Sequence, residues 1–340
     1  MKRITILLAI LVISSITIFI GSFITVDRTR FDNNFVRIFP AHPIEVICSL
    51  EFLKNEYSLT AISDQKIFLR SKYDRAKIKI LSLNMVDSSI AAIPDYEMYE
   101  LLIAGKYFYL QDGHQGILHR GKISTWTPDT TFHDLPGYTA LQPISPSVIA
   151  LRTISIGQRK NVLVRSSSPD EYVDVLKKQV DGIFCTDGYL QFSSDNNLLV
   201  YTYRYRNKYL VLDTNFNVRF ERNTIDTTSV SKIKVDEIGG RITMAEPPLV
   251  VNKASCVDGD FLFVNSNLVA KNETSEESDL HSVIDVYNIL DGSYRFSFYI
   301  DNIGGSRMQS FKVNDDMLFA MFPGRLIRYD IQRKYLKLMN

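Results

Sequence analysis

The chain is 340 residues long and close to neutral, with 39 Lys plus Arg against 38 Asp plus Glu. That balance argues against a nucleic-acid partner, because phosphate binding needs a basic face. Three cysteines (Cys48, Cys185 and Cys256) are an odd number at wide spacings, which excludes a complete disulfide framework and matches no zinc signature.

Residues Ile4 to Val26 carry no charged side chain, and Lys2 and Arg3 precede them. As a helix rising about 1.5 Å per residue the run reaches roughly 34 Å, enough to cross a hydrocarbon core of about 30 Å. A cleaved signal usually has a shorter apolar region ending at small residues. Here Phe23 and Ile24 stand near the end of the run, so it reads as an uncleaved transmembrane anchor over residues 1–26. Lys2 and Arg3 favour a cytoplasmic N-terminus, although Arg28 and Arg30 weaken the asymmetry. The expectation is a single pass through a bacterial inner membrane, a juxtamembrane linker at 27–43, and a periplasmic domain at 44–340.

From residue 44 onward the pattern is short strands bounded by turns. Tyr57–Ile62, Lys66–Arg70 and Lys77–Leu83 form a first group, and Tyr99–Ala104, Lys106–Leu110, Ile117–Arg120 and Ile123–Trp126 a second. Thr139–Pro143, Val148–Thr153 and Asn161–Arg165 form a third. Ser168-Pro169-Asp170-Glu171, followed by Tyr172, Val175 and Leu176, predicts a capped helical turn after it. Gly188–Phe192, Asn197–Tyr203, Tyr209–Asp213 and Asn217–Glu221 make a fourth group. Val250–Cys256 and Phe261–Val264 open a fifth, completed by the hairpin Val283–Ile289 and Tyr294–Ile300 around Asp291-Gly292. Met308–Val313, Met317–Phe322, Leu326–Ile331 and Tyr335–Met339 make the sixth. Residues 84–98, 223–247 and 266–280 break the rhythm as insertions. Groups recurring roughly every 40–70 residues suit four-stranded blades. The fold class predicted is all-β, a six-bladed β-propeller, with seven or eight blades the nearest miscount.

Three stretches carry a family likeness: Lys178-Gln179-Val180-Asp181-Gly182-Ile183-Phe184-Cys185-Thr186-Asp187-Gly188, then Tyr205-Arg206-Asn207, then Pro247-Pro248-Leu249-Val250-Val251-Asn252-Lys253. On these the chain resembles membrane-anchored proteins of Bacteroidota that are similar to TolB-like six-bladed propellers. The resemblance implies fold and source. It transfers no catalytic residue.

No constellation identifies a reaction. A G-x-S-x-G elbow is missing, and Gly304-Gly305-Ser306 reads as a loop. His114 and His119 lack a third ligand at a helpful spacing. Asp315-Asp316, and Asp258 with Asp260, read as turn residues. Cys185 and Cys256 read as small packed hydrophobes at equivalent strand positions of two repeats, with a redox pair as the alternative. The most distinctive polar cluster is Tyr201-Thr202-Tyr203-Arg204-Tyr205-Arg206-Asn207, where strand alternation would place the tyrosines on one face and the arginines on the other. Arg204, Arg206 and Asn207 are therefore candidate binding residues, joined by Asp187, Asn252 and Lys253, which interrupt apolar strand beginnings. The function expected is a tethered, non-enzymatic module that binds a periplasmic or integral membrane protein. The alternatives are a propeller hydrolase or lyase with a divalent cation in its channel, or a redox or sensor helper. No catalytic or metal residue, no cofactor beyond that cation, and no particular small-molecule ligand is read.

Overall fold

The computed structural model describes residues 33–93 and 99–336. The apolar run at 4–26 lies outside them, and among the described residues no helix is long and apolar enough to cross a membrane.

Strand β1 spans Ile44–Glu51. Blade 1 follows as β2 (Tyr57–Ser63), β3 (Lys66–Ser71), β4 (Lys77–Ser82) and β5 (Ser88–Ala92), and blade 2 as β6 (Glu100–Ala104), β7 (Tyr107–Asp112), β8 (Ile117–Lys122) and β9 (Thr127–Phe132). Blade 3 is β10 (Tyr138–Pro143), β11 (Ile149–Ser155), β12 (Lys160–Arg165) and β13 (Ser168–Val173). Blade 4 is β14 (Gly188–Ser193), β15 (Leu198–Tyr203), β16 (Lys208–Asp213) and β17 (Val218–Asn223). A hairpin of β18 (Val235–Ile238) and β19 (Arg241–Met244) precedes blade 5, which is β20 (Asn252–Asp258), β21 (Phe261–Ser266), β22 (His281–Asn288) and β23 (Tyr294–Asp301), with helix α1 (Ser275–Leu280) between its middle strands. Blade 6 is β24 (Ser310–Asn314), β25 (Met317–Phe322) and β26 (Arg325–Ile331), and its fourth strand is β1, paired antiparallel from Ile44↔Ile331 to Glu51↔Arg325. The start of the propeller thus closes its end, and six blades form a ring.

The second strand of each blade lies inside its own sheet and between two neighbouring sheets, so it is buried on both faces and reads as an unbroken apolar run. Phe68, Phe108, Leu151, Leu199, Phe263 and Phe319 all belong to such strands and are almost wholly buried. Their neighbours alternate toward the two adjoining blades. Ile67 and Leu69 pack with Phe319 and Leu326 of blade 6, while Phe68 packs with Phe108 and Leu110 of blade 2. The core is therefore six inter-blade layers rather than one centre.

Antiparallel alternation sorts the connections. Calling the strands of a blade a to d outward from the axis, all a–b and c–d turns lie on one side, the turn face. The b–c turns and the crossovers between blades lie on the other, the crossover face.

Several sequence expectations are corrected. Ser168–Val173 is the outer strand of blade 3, not a helical turn, because Pro169 on an edge costs no ladder hydrogen bond. In blade 2 the outer strand is Thr127–Phe132. Ile123 to Trp126 form the turn before it, with Trp126 left-handed at φ 54°. The 84–98 insertion contains β5, the 223–247 insertion the β18–β19 hairpin, and the 266–280 insertion α1, whose capping box joins Thr274 and Glu277. Of the last strand expected, Tyr335–Met339, the first two residues belong to helix α2 (Arg333–Leu336) and residues 337–339 lie outside the described residues; the edge of blade 6 is occupied by β1.

Residues 33–43, expected as linker, lie along the propeller. The Phe35 carbonyl accepts from Lys271 N at 2.8 Å and the Ile38 carbonyl from Ser297 N at 2.8 Å, while Phe39 stacks on Tyr299 with centroids 4.5 Å apart. Arg37 is buried, bonding Asp285 Oδ1 at 2.7 Å, the Leu268 carbonyl at 3.0 Å, and Glu273. Burial alone would lower its affinity for the proton, but Asp285 and then Glu273 more than reverse this.

Candidate functional site

The six a strands end around a cavity of about 640 Å³ that opens on the turn face. How each residue arrives there follows from turn chemistry. Four of the a–b loops have two residues: Asp64-Gln65, Gly105-Lys106, Gly259-Asp260 and Asp315-Asp316. The first residue of each is left-handed, at φ 50°, 57°, 51° and 57°, a backbone that Gly, Asn and Asp tolerate best. Residues chosen for tight reversal therefore ring the mouth, and two of them bring a carboxylate to it.

The polar lining includes Asp64, Gln65, Gln142, Gln191, Asp195, Asp258, Lys312 and Asp315. Asp195, Asp258 and Asp315 come from adjacent blades 4, 5 and 6. Burial pushes the Asp258 carboxyl up to about 6, with the charges of Asp315 and Asp195 adding to it. Cys256 also lines the wall; it is unpaired, and burial pushes its thiol up. Among the described residues no three His, Cys, Asp or Glu groups are arranged to hold a metal ion. What the cavity can do chemically is receive a polar or cationic group among amide and carboxylate acceptors.

The wall is unequal. Between blades 4 and 5 a polar ladder runs its full height. Tyr189 Oη donates to the Lys253 carbonyl, Gln191 exchanges hydrogen bonds with Ser255, and Ser193 Oγ donates to the Gly259 carbonyl at 2.9 Å. Asn196 Nδ2 closes it on Asp260 at 3.0 Å.

The residues singled out in the sequence lie on the crossover face, at the opposite end of the molecule. Strand alternation stops at Tyr203, where β15 ends, so the arginines do not share a face apart from the tyrosines. The Arg206 guanidinium lies 3.8 Å over the Tyr203 ring and donates to the Lys177 carbonyl at 2.9 Å, and Arg204 donates to Tyr189 Oη at 3.1 Å. Asn252 donates to the Tyr203 carbonyl at 2.8 Å and the Arg206 carbonyl at 3.2 Å, and Asn207 donates to the Asp226 carbonyl. Arg206, Asn207 and Asn252 are buried. Asp187 pairs with Arg152 at 2.8 Å while its carbonyl accepts from Arg204 N at 2.9 Å, and the Lys253 carbonyl takes the Tyr189 hydroxyl. The structure thus gathers Arg204, Arg206, Asn207 and Asn252 into one network that shapes the crossover between blades 4 and 5. Cys185 is not at a strand position equivalent to Cys256. It is buried in the crossover before blade 4 and accepts from Gln179 N at 3.3 Å. The cavity residues were visible in the sequence only as turn punctuation. The one signal available was that Asp recurred at a–b reversals of several groups.

No family model and no curated protein matches the sequence. Among solved structures, a member of the DUF4221 family from Bacteroides vulgatus aligns with 86% of this chain and 99% of its own at 12% identity and a TM-score of 0.49. BamB from Moraxella catarrhalis aligns with 85% and 98% at 9% identity and 0.41, and Hsv2 from Kluyveromyces lactis with 78% and 72% at 12% and 0.39. The six-bladed ring itself rests on the strand pairing described above.

Proposed function

We propose that the protein is a membrane-tethered, extracytoplasmic binding platform, held by the apolar run at 4–26, that receives a basic side chain or segment of a partner protein at the turn face. One observation carries this reading: the cavity of about 640 Å³ at the ends of all six a strands, with Asp195, Asp258 and Asp315 converging from three blades. A rigid ring keeps these acceptors in place before binding, so little ordering cost falls on the complex. Charge at the mouth would also steer a cationic partner toward it, and the tether would raise the local concentration of a membrane neighbour.

The test is photo-crosslinking in intact membranes from Gln65, at the cavity rim, and from Ile90, on the outer strand of blade 1. A discrete adduct from Gln65, absent from Ile90 and lost in a D195N/D258N/D315N variant, is the expected result. Monomer alone from Gln65 overturns it.

A hydrolase or lyase reading draws on the same Asp258, a carboxyl tuned toward neutrality in a cleft beside other acids. It calls for a divalent cation, and metal analysis of the purified protein separates the two readings. A stoichiometric ion whose removal lowers the melting temperature favours the enzyme.

A further inference from the structure

The path of residues 33–43 fixes where the preceding chain departs. Asn33 donates to the Val269 carbonyl, and Phe35 packs on Leu249, Val251, Leu268 and Ala270, all in the crossover before blade 5 or its b–c connection. Ile38 pairs with Ser297 midway along the outer strand of that blade. Residues 41 and 43 then meet the end of blade 6 on the turn face, where Tyr335 Oη donates to the Ala41 carbonyl at 2.8 Å and Gln332 N to the Pro43 carbonyl at 2.9 Å. The chain therefore enters at the crossover face, descends the edge of blade 5, and rises again as β1. Arg37, bonded inward to Asp285, Glu273 and the Leu268 carbonyl, holds this strap down.

Only residues 27–32 separate Val26 from Asn33. The seven steps from Val26 to Asn33 span at most about 25 Å when fully extended. Whatever holds Val26 must lie within that reach of the crossover face.

The two faces differ as this would require. Large apolar side chains left in water gather on crossover-face loops: Leu53 is 100% exposed, Ile156 90% and Tyr73 70%, with Ile238, Val230 and Leu280 also exposed. Singly such residues mean little; their segregation to the face from which the chain departs is the informative point. On the crossover face exposed acids such as Asp236, Glu237, Glu276 and Asp279 are offset by exposed Lys54, Lys72, Lys232, Lys234 and Lys271. The turn face, by contrast, shows mainly Val86 and Leu290 and carries Asp64, Asp87, Asp195, Asp260, Asp291, Asp315 and Asp316 in its loops. An anionic headgroup layer repels such a surface, while aliphatic and aromatic loop residues partition into the interfacial region.

We infer that the strap at 33–39 turns the crossover face of the propeller onto the lipid surface and points the acidic cavity mouth away from it. This rests on the tether proposed above and adds its orientation. The occupant of the crossover face is the bilayer, and the face left open to soluble partners is the one with the cavity.

The experiment uses the full chain in vesicles of phosphatidylcholine with a minority of phosphatidylglycerol. Fluorophores are placed at L53C or V86C in a C48S background, Cys185 and Cys256 being buried, with a nitroxide on the lipid headgroups as quencher. Both sites are exposed, so neither substitution disturbs the core. The expected result is quenching several-fold stronger at position 53 than at 86. Equal or reversed quenching on vesicles that carry the protein overturns the orientation and leaves the tether standing. Full-length protein that does not float with the vesicles overturns the tether, and the orientation with it.

Discussion

The seam between blades 4 and 5 and the seam between blades 2 and 3 close the same ring by different means. The first adds the polar ladder of Tyr189, Gln191, Ser193 and Asn196 to its apolar layer, and Arg37 locks the outer side of blade 5. At the second, β6 and β10 approach each other least of the neighbouring a strands, and Gln111 of β7 reaches the cavity. This seam relies on Tyr109, Leu118, Leu141 and Leu151, and on two glycines that let the crossover come close. A Cβ on Gly116 would stand 2.1 Å from the Leu135 carbonyl oxygen, and one on Gly113 2.4 Å from that of Tyr138. The directional contacts of this second seam gather at its crossover end, where Tyr138 N donates to the Gly113 carbonyl at 2.9 Å and Tyr138 Oη to the Ile117 carbonyl at 3.1 Å, with Arg120 reaching the Pro146 carbonyl at 2.7 Å. Those of the first run along its whole height. The cavity thus has a stiff wall, tied along its whole height, and a second wall tied at the crossover end and by Arg120.

The largest test breaks the stiff side. Replacing Arg37 with Ala strands Glu273 and Asp285 as buried charges, and urea unfolding should read a loss of about 3–5 kcal/mol. An equally deep change on the other side is Gly116→Ala, which combines a left-handed φ of 65° with the Leu135 clash. The loss expected there is about 2–4 kcal/mol by the same measurement. If the seams differ as described, G116A should also speed amide exchange in β6 to β10 and leave β14 to β20 unchanged.

A third test reads the cavity itself. Asp258 is held near 6, above its value of about 3.9 in the unfolded chain, so the native state keeps a proton the unfolded state has lost. Its contribution is fully present below about pH 4 and is lost as pH rises through about 6, on the order of 2 kcal/mol after allowing for its partial exposure. D258N should therefore be more stable than the parent at pH 7.5 by about that amount and nearly equal to it at about pH 4. The smallest effect belongs to a single rung of the ladder: Gln191→Ala leaves the Ser255 carbonyl and hydroxyl short of a partner, for about 1–2 kcal/mol. A null result would mean that the apolar layer alone sets the stiff seam.

How much of this was legible in the sequence follows from how local each cause is. Blades 4 and 5 were read nearly strand for strand, because Asp-Gly and Asn-rich turns flank apolar runs there and the hairpins are short. The outer strand Thr127–Phe132 was missed because an edge strand facing water needs no apolar pattern, and Trp126 drew the assignment onto the turn. The closing strand could not be seen, since Ile44 finds Ile331 only through the whole ring. The candidate site split in the same way. Arg204 and Arg206 stood out as chemistry, yet their surroundings turn them into crossover architecture. Asp258 and Asp315 were read as turn residues, which they are; that their turns meet around one axis is decided by blade number and closure, not by neighbours in sequence.

Closure by β1 also imposes an order of events on a newly made chain. Blades 1 to 5 can each form from contiguous residues as they emerge, but blade 6 must wait until Ile331 is available to meet Ile44. Until then the strand that follows the strap has no mate, and β2 and β24 have no common wall. The ribosome must therefore release every residue as far as Ile331 before the cavity exists, so a product truncated within blade 6 should lack the site altogether rather than retain a fraction of it.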